Sequence, residues 1–236
     1  MNARRLFERI THYWVHRAGN LPFGTDLRID LQRICGRISQ EAVFDVGANV
    51  GQSIPRLRSC FPNSPIYCFE PVNENFKKLK TATRNQTGIL LEQLGLSSKA
   101  GTVKINLNSD PTECSLEYSY GNGQTEEITL ITIDQYCRDH SIRHIGFLKI
   151  DVEGHEISTL EGGSRLFASG SIDFVLLETE IIPTDRHFIS VQEYASFLKP
   201  HNFELVAIYD QTHEWNGTRK LQFANALFGR EDVLRK

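Results

Sequence analysis

Apolar residues gather in short, nearly unbroken runs, and between those runs they recur every three or four positions. The first pattern suits a strand covered on both faces, the second a helix packed along one side. "AVFDV" (42–46) predicts a first strand, and "GQSIPRLRSCF" the helix after it, with Pro55 tolerable only in that helix's first turn. "SPIYCFEP" predicts a second strand closed by Pro71, "NENFKKLKTATRN" a helix and "GILLEQLGL" a third strand. This βαβαβ order is half of a nucleotide-binding parallel sheet.

Beyond it the pattern changes. "GTVKINLN" and "EEITLITI" predict half-exposed strands flanking the turn-rich "SDPTECSLEYSYGNGQ", a candidate binding loop. "IGFLKIDVEG" and "IDFVLLETE" return to unbroken apolar runs on either side of one helix, "HEISTLEGGSRLF". "FELVAIYD" and "LQFANALFG" predict two closing strands joined by a polar loop containing "NG". The alternation argues for an α/β domain over residues 41–236, with helices on both faces of a mostly parallel sheet, behind a helical lead-in over residues 1–40.

Composition narrows the function classes. A chain of 236 residues can bury one large core. With 40% hydrophobic and 23% charged residues and a formal charge of −3, it lacks the positive excess of a nucleic-acid binder. Five scattered cysteines, odd in number and without a C-x-x-C pair, signal neither a zinc site nor a disulfide framework. They suit a reducing compartment, so a cytoplasmic location is expected.

The opening "MNARRLFERITHYWVHRAGN" interleaves Arg4, Arg5, Arg9 and Arg17 with Leu6, Phe7, Ile10, Tyr13 and Trp14. It lacks the continuous apolar run of a signal peptide or a membrane span, and predicts an amphipathic helix. A membrane surface can accept such a helix, although docking on its own domain or on a partner explains it more simply. No sequence feature bears on oligomeric state.

Candidate chemistry begins at "VFDVGANVGQ". A Gly-rich turn behind a first parallel strand lets backbone amides and a helix terminus approach a ligand. Gly47 and Gly51 supply room, and Asn49 tolerates positive φ better than other side-chain-bearing residues. The spacing G-x-N-x-G is not the dinucleotide G-x-G-x-x-G, and a shorter loop suits a nucleoside without a pyrophosphate. Glu70, about 20 residues further on at the end of the second strand, stands where an acceptor for ribose hydroxyls is expected. Alone, it is equally well a strand-end carboxylate capping the next helix.

Together "VFDVGANVGQ", "FPNSPIYCFEPVNENFKKL", "ITLITIDQY", "FLKIDVEGHEISTLEGG" and "VLLETE" resemble the FkbM-type S-adenosylmethionine-dependent methyltransferases, over roughly residues 20 to 228. The resemblance implies a Rossmann-like class I methyltransferase fold: a seven-stranded, mostly parallel sheet whose last strand is antiparallel and slotted between its neighbours. It further implies that Asp45, Gly47, Ala48, Asn49 and Gly51 wrap the methionine part of the cofactor and that Glu70 binds its ribose. Gln93 and Leu94 are then expected near the adenine, although the chain departs from the family pattern just beyond, at Gly95 and Ser98.

Asp151 and Glu153 end the fourth main strand, and Glu178 and Glu180 the fifth. If these strands are neighbours, about 4.8 Å apart, Asp151 and Glu178 come within reach, and a proton or a cation must resolve their repulsion. A divalent metal suits carboxylates, but no ligand spacing specifies one. Asp151, Glu178 and His155 are candidate bases for an acceptor hydroxyl. Glu153 and Glu156 also suit the amino terminus of the following helix.

Asp134 in "TIDQY" is expected to cap a helix beginning at Gln135. The resemblance implies that the loop from Asp110 to Gln124, with Ser115, Tyr118 and Tyr120 in it, faces the acceptor; Ser115, Tyr118 and Glu153 are the candidate acceptor-binding residues. The function the resemblance implies is O-methylation of a sugar, glycan or natural product. The alternatives are a Rossmann oxidoreductase or nucleotide-sugar enzyme, and a cofactor-binding module without turnover.

Overall fold

In the computed structural model the chain is described over residues 3–11, 20–36, 40–107, 114–116, 123–180, 189–213 and 220–235. Helices α1 (Ala3–Thr11) and α2 (Leu27–Cys35) precede β1 (Ala42–Val46). On α1 the side chains of Leu6, Phe7 and Ile10 are 44, 50 and 70% exposed, so the domain does not cover them. In contrast, α2 buries Leu27 and Leu31. Asp26 caps it by accepting the Ile29 N–H at 3.0 Å, as expected of a short polar side chain at that position.

The predicted βαβαβ unit is present as β1, α3 (Ile54–Cys60), β2 (Ile66–Phe69), α4 (Asn73–Thr83) and β3 (Ile89–Glu92), with Pro55 in the first turn of α3. The third strand is shorter than expected. It ends at Glu92, the chain bends at Gln93 and Leu94, and Gly95–Leu96 re-enters as β4, paired elsewhere. Next come β5 (Gly101–Asn106) and β6 (Thr125–Ile131), the predicted half-exposed pair. With β4 they form a second, three-stranded sheet in the order β4-β6-β5.

Helix α5 (Ile133–Asp139) leads into β7 (Ile145–Ile150). Its N-cap is Thr132, whose Oγ1 accepts the Gln135 N–H at 3.0 Å, and not Asp134. Asp134 instead accepts the N–H groups of Arg165 and Leu166 at 2.9 and 3.2 Å. Asp134 therefore serves another helix, since it lies two residues past the N-cap of its own.

The single helix expected after β7 is two, α6 (Glu156–Glu161) and α7 (Ser164–Ala168), broken at Gly162 and Gly163. A Cβ on Gly162 would lie 2.2 Å from the Ser97 carbonyl oxygen, so only glycine lets the second sheet approach here. The chain continues through β8 (Ile172–Glu180), α8 (Val191–Leu198), β9 (Phe203–His213), β10 (Leu221–Arg230) and α9 (Glu231–Leu234). Helix α8, which apolar spacing did not predict, opens on a reciprocal box between Ser190 and Glu193.

The main sheet has the order β3-β2-β1-β7-β8-β10-β9, with β10 antiparallel to both its neighbours. This is the class I methyltransferase arrangement expected above. Strand alternation sends Phe44, Leu148 and Ile150 to one face, against Tyr136, Leu160 and Tyr194 of α5, α6 and α8. Val43, Phe147 and Leu176 go to the other, against Leu31 of α2, Leu57 of α3 and Leu79 of α4. All five cysteines are free thiols. No helix among the described residues is long and apolar enough to cross a membrane.

Candidate active site

The carboxyl ends of β1, β2, β7 and β8 open on one cavity of about 320 Å³. Its floor is the turn after β1. Gly47 and Asn49 both have positive φ, +75° and +49°. A Cβ on Gly47 would fall 1.8 Å from the Asp151 carbonyl oxygen, so this turn and the end of β7 can meet only through glycine. The Gly47 and Ala48 N–H groups donate to the Phe69 carbonyl at 3.1 and 3.0 Å, which fixes the turn against the end of β2.

Glu70 follows immediately. It is 5% exposed, lines the cavity, and accepts the Asn49 N–H on Oε2 at 3.0 Å and the Val72 N–H on Oε1 at 2.8 Å. Burial pushes its pKa up to about 7, with the two N–H donors acting against that shift. Each oxygen has a second lone pair, so the group can also accept a pair of ligand hydroxyls. The expected pairing of Glu70 with the glycine turn is thus a direct contact, and Val72 just before α4 shares it.

At the opposite end Asp151, Glu153 and Glu178 each place one carboxylate oxygen within 4.8 Å of the other two. The neighbouring strands bring Asp151 and Glu178 together as expected, and a left-handed backbone at Glu153, φ +53°, turns that side chain into the group. Burial, followed by Asp151, Glu153 and Glu156, pushes the Glu178 pKa up to about 8, against the pull of Lys149. Glu156 accepts the Val152 and Gly154 N–H groups at 3.1 and 3.2 Å, the helix-terminus role considered for it. Three carboxylates this close offer the hard oxygen donors a divalent cation takes, and equally a seat for an organic cation.

The remaining expected residues are placed as follows. His155 lines the cavity, with Nε2 2.9 Å from Ser97 Oγ. Asp45, Ala48 and Gly51 do not line it. Asp45 is fully buried, bonded to the Ser53 hydroxyl and paired with Lys149. Gln93 is exposed and Leu94 packs on the core, because the bend after β3 carries both outside; Gly95 and Leu96 form that part of the wall instead. Ser115 is buried, and its hydroxyl donates to the Glu153 carbonyl at 2.8 Å. Tyr118 and Tyr120 lie outside the described residues.

Sequence patterns missed two features. One is the apolar roof of Ile105, Ile128 and Leu130 from the second sheet, which gives the cavity a wall suited to a flat aromatic base. The other is Lys149, whose Nζ lies 3.2 Å from Asp45 Oδ1 and 3.2 Å from Asp151 Oδ2. Burial works against its charge, but Asp151 and Asp45 outweigh it and raise the pKa above the ordinary lysine value. The signal was a charge inside the apolar "IGFLKI", two residues before Asp151 and so on the same face of the strand.

The cavity's donors and walls fit a nucleoside with a cationic tail: an apolar roof for a base, Glu70 for ribose hydroxyls, and carboxylates at the far end for positive charge. A family model described as the methyltransferase FkbM domain matches residues 45–205. The hexuronic acid methyltransferase AglP of Haloferax volcanii is 26% identical over 139 residues, covering 58% of this chain. The match spans 55% of that relative's length. The 31-O-demethyl-FK506 methyltransferase FkbM of Streptomyces tacrolimicus is 23% identical over 201 residues, covering 72% of this chain and 75% of that one. Among solved structures, Aeropyrum pernix fibrillarin with bound S-adenosyl-L-methionine aligns at a TM-score of 0.48 and 14% identity, covering 85% of this chain and 74% of that one.

Proposed function

The chain belongs to the FkbM methyltransferase family, and from that premise we propose that it is an S-adenosylmethionine-dependent O-methyltransferase acting on a hydroxyl of a sugar, glycan or natural product. The observation that carries the cofactor assignment is the contact between Glu70 and the Asn49 amide at the mouth of the glycine turn. It puts a ribose acceptor and a close-approach backbone in one cavity, under an apolar roof. Nothing comparable favours a nicotinamide, whose pyrophosphate needs the longer turn.

When bound, S-adenosylmethionine would supply a sulfonium methyl for in-line transfer to an acceptor oxygen, with the carbon–sulfur pair going to sulfur and S-adenosylhomocysteine as the leaving group. Gly47 and Asn49 hold the methionine side close to the sheet, and Glu70 anchors the ribose. Leu96, Ile128 and Leu130 enclose the adenine and keep water from that end. Asp151 takes the hydroxyl proton in this reading, which its position in the cavity wall beside Glu178 and His155 supports. The Ser115 hydroxyl donates to the Glu153 carbonyl, which ties the segment bearing Ser115 to the acid group. The acceptor is a small molecule or a glycan and not nucleic acid, in keeping with a net charge of −3 and the acidic end of the cavity.

The test is calorimetric titration with S-adenosylhomocysteine, together with transfer of labelled methyl to glucuronic acid and glucose methyl glycosides and a macrolide alcohol. Binding that Glu70→Ala weakens, with label entering at least one of these acceptors, is the expected result. Binding of NADH instead, or no binding of either ligand, overturns it.

A further inference from the structure

Resting on the transferase assignment above, we propose that Lys149 is a positioning residue. Its ammonium serves as the internal counter-ion of the acid cluster and fixes Asp151 relative to the cofactor turn, where a carboxylate-rich site would otherwise require a bound divalent cation.

Lys149 interrupts a strand whose other five residues are buried, and its side chain is only 12% exposed. An ammonium in such a place is costly unless it is well paired. Here it meets two carboxylates at equal distance, Asp45 on β1 and Asp151 just beyond β7. Asp45 and Lys149 are directly opposed in the β1–β7 register, so the contact follows from the sheet and does not depend on a flexible reach.

The pairing continues on both sides. Asp45 also accepts the Ser53 hydroxyl, immediately before α3. A chain of contacts therefore runs from the residue leading into α3, through Asp45 and Lys149, to Asp151 in the cavity wall. The glycine turn lies between its ends, and the Asp151 N–H donates to the Val46 carbonyl at 3.1 Å. A group held from both its backbone and its carboxylate presents one geometry to an acceptor, and small misplacements in such sites are costly to rate.

Charge points the same way. Asp45, Asp151, Glu153 and Glu178 converge on this edge, and a positive charge among them relieves their mutual repulsion. Lys149 supplies one from within the fold. Its position is that of a fixed charge, so loss of the charge, more than loss of the side chain's bulk, is what should matter.

The variants are Lys149→Met, Lys149→Arg and the double Asp45→Asn/Lys149→Met, which removes both buried charges and so keeps the fold testable. The probe is Mn²⁺ alone, followed by electron paramagnetic resonance, beside labelled-methyl turnover and S-adenosylhomocysteine titration. In the wild type, EDTA should leave turnover unchanged and Mn²⁺ should show no binding that Glu178→Gln abolishes. The double variant should gain Mn²⁺ binding that a further Glu178→Gln abolishes and lose about ten-fold or more in kcat, with cofactor-product affinity within about three-fold. Lys149→Arg should recover most of kcat.

Mn²⁺ binding by the wild type that Glu178→Gln removes, or no gain of such binding in the double variant, overturns the proposal. If the wild type transfers no methyl group, the transferase assignment fails on its own, and the Mn²⁺ comparison still decides the role of Lys149.

Discussion

Glu70 Oε2 accepts the backbone N–H of Asn49 at 3.0 Å across 21 residues of chain, joining the end of the second strand to the turn after the first. The partner N–H of Val72 binds the other oxygen. Replacing Glu70 by Ala leaves two enclosed donors without their acceptor, at about 1–3 kcal/mol each. S-adenosylhomocysteine affinity is expected to fall about ten-fold or more, and less for Glu70→Gln, which keeps one acceptor. Isothermal titration of the two variants measures this.

Two raised carboxyl groups contribute to the pH dependence of stability. Glu70 lies at about 7 and Glu178 at about 8 in the folded chain, against 4.5 for a free side chain. The native state therefore holds more protons than the unfolded one between these values, and stability falls as pH rises through them. The Tm of the ligand-free protein should be higher at the acid end of the range 4.5 to 8 with respect to these two groups. Glu178→Gln should flatten the upper part of the curve, and a calorimetric series across that range gives the answer.

Gly47 admits no side chain, because its added Cβ would overlap the Asp151 carbonyl and φ is positive. Gly47→Val should lose about 2 kcal/mol or more of stability, and cofactor binding with it. Urea unfolding midpoints measure the first effect, titration the second.

Asp151→Asn tests the base. Removal of a general base ordinarily costs about 10²–10⁴ in rate. Turnover should fall by that order while S-adenosylhomocysteine affinity stays within about three-fold. An equal loss in both would mean that Asp151 serves binding and not proton removal.

Tyr209 on β9 donates its hydroxyl to Asp30 Oδ2 at 2.8 Å, and Asp30 on α2 also accepts the Gly24 N–H at 2.8 Å. Tyr209→Phe should destabilise the protein by about 1–3 kcal/mol, read from denaturant unfolding.

Much of this was legible in the residues. "AVFDV", "IYCF" and "IGFLKI" are bounded apolar runs, and such runs become central strands wherever helices cover both faces. The Glu70 contact was legible too, because its distance from the turn is set by one strand-helix-strand repeat. Long-range competition hid the rest. Gln93 and Leu94 look like strand, but Gly95 pairs with Leu130 of the second sheet and pulls the chain away. Asp134 looks like a cap, but Thr132 takes the near amide and frees it to serve a helix 31 residues on. Lys149 drew no attention in the sequence, and the β1–β7 register reveals its partner Asp45. The Ser190–Glu193 box was in plain view, as a four-residue signal that apolar spacing alone passes over.

The bond between Asp30 and Tyr209 spans 179 residues. On the ribosome, α2 leaves the exit tunnel before β9, so Asp30 meets its tyrosine only after most of the main sheet has emerged. Nascent chains arrested before that strand should hold α2 by its apolar contacts with α3 and the sheet alone. The Asp30 link is thus among the last to close.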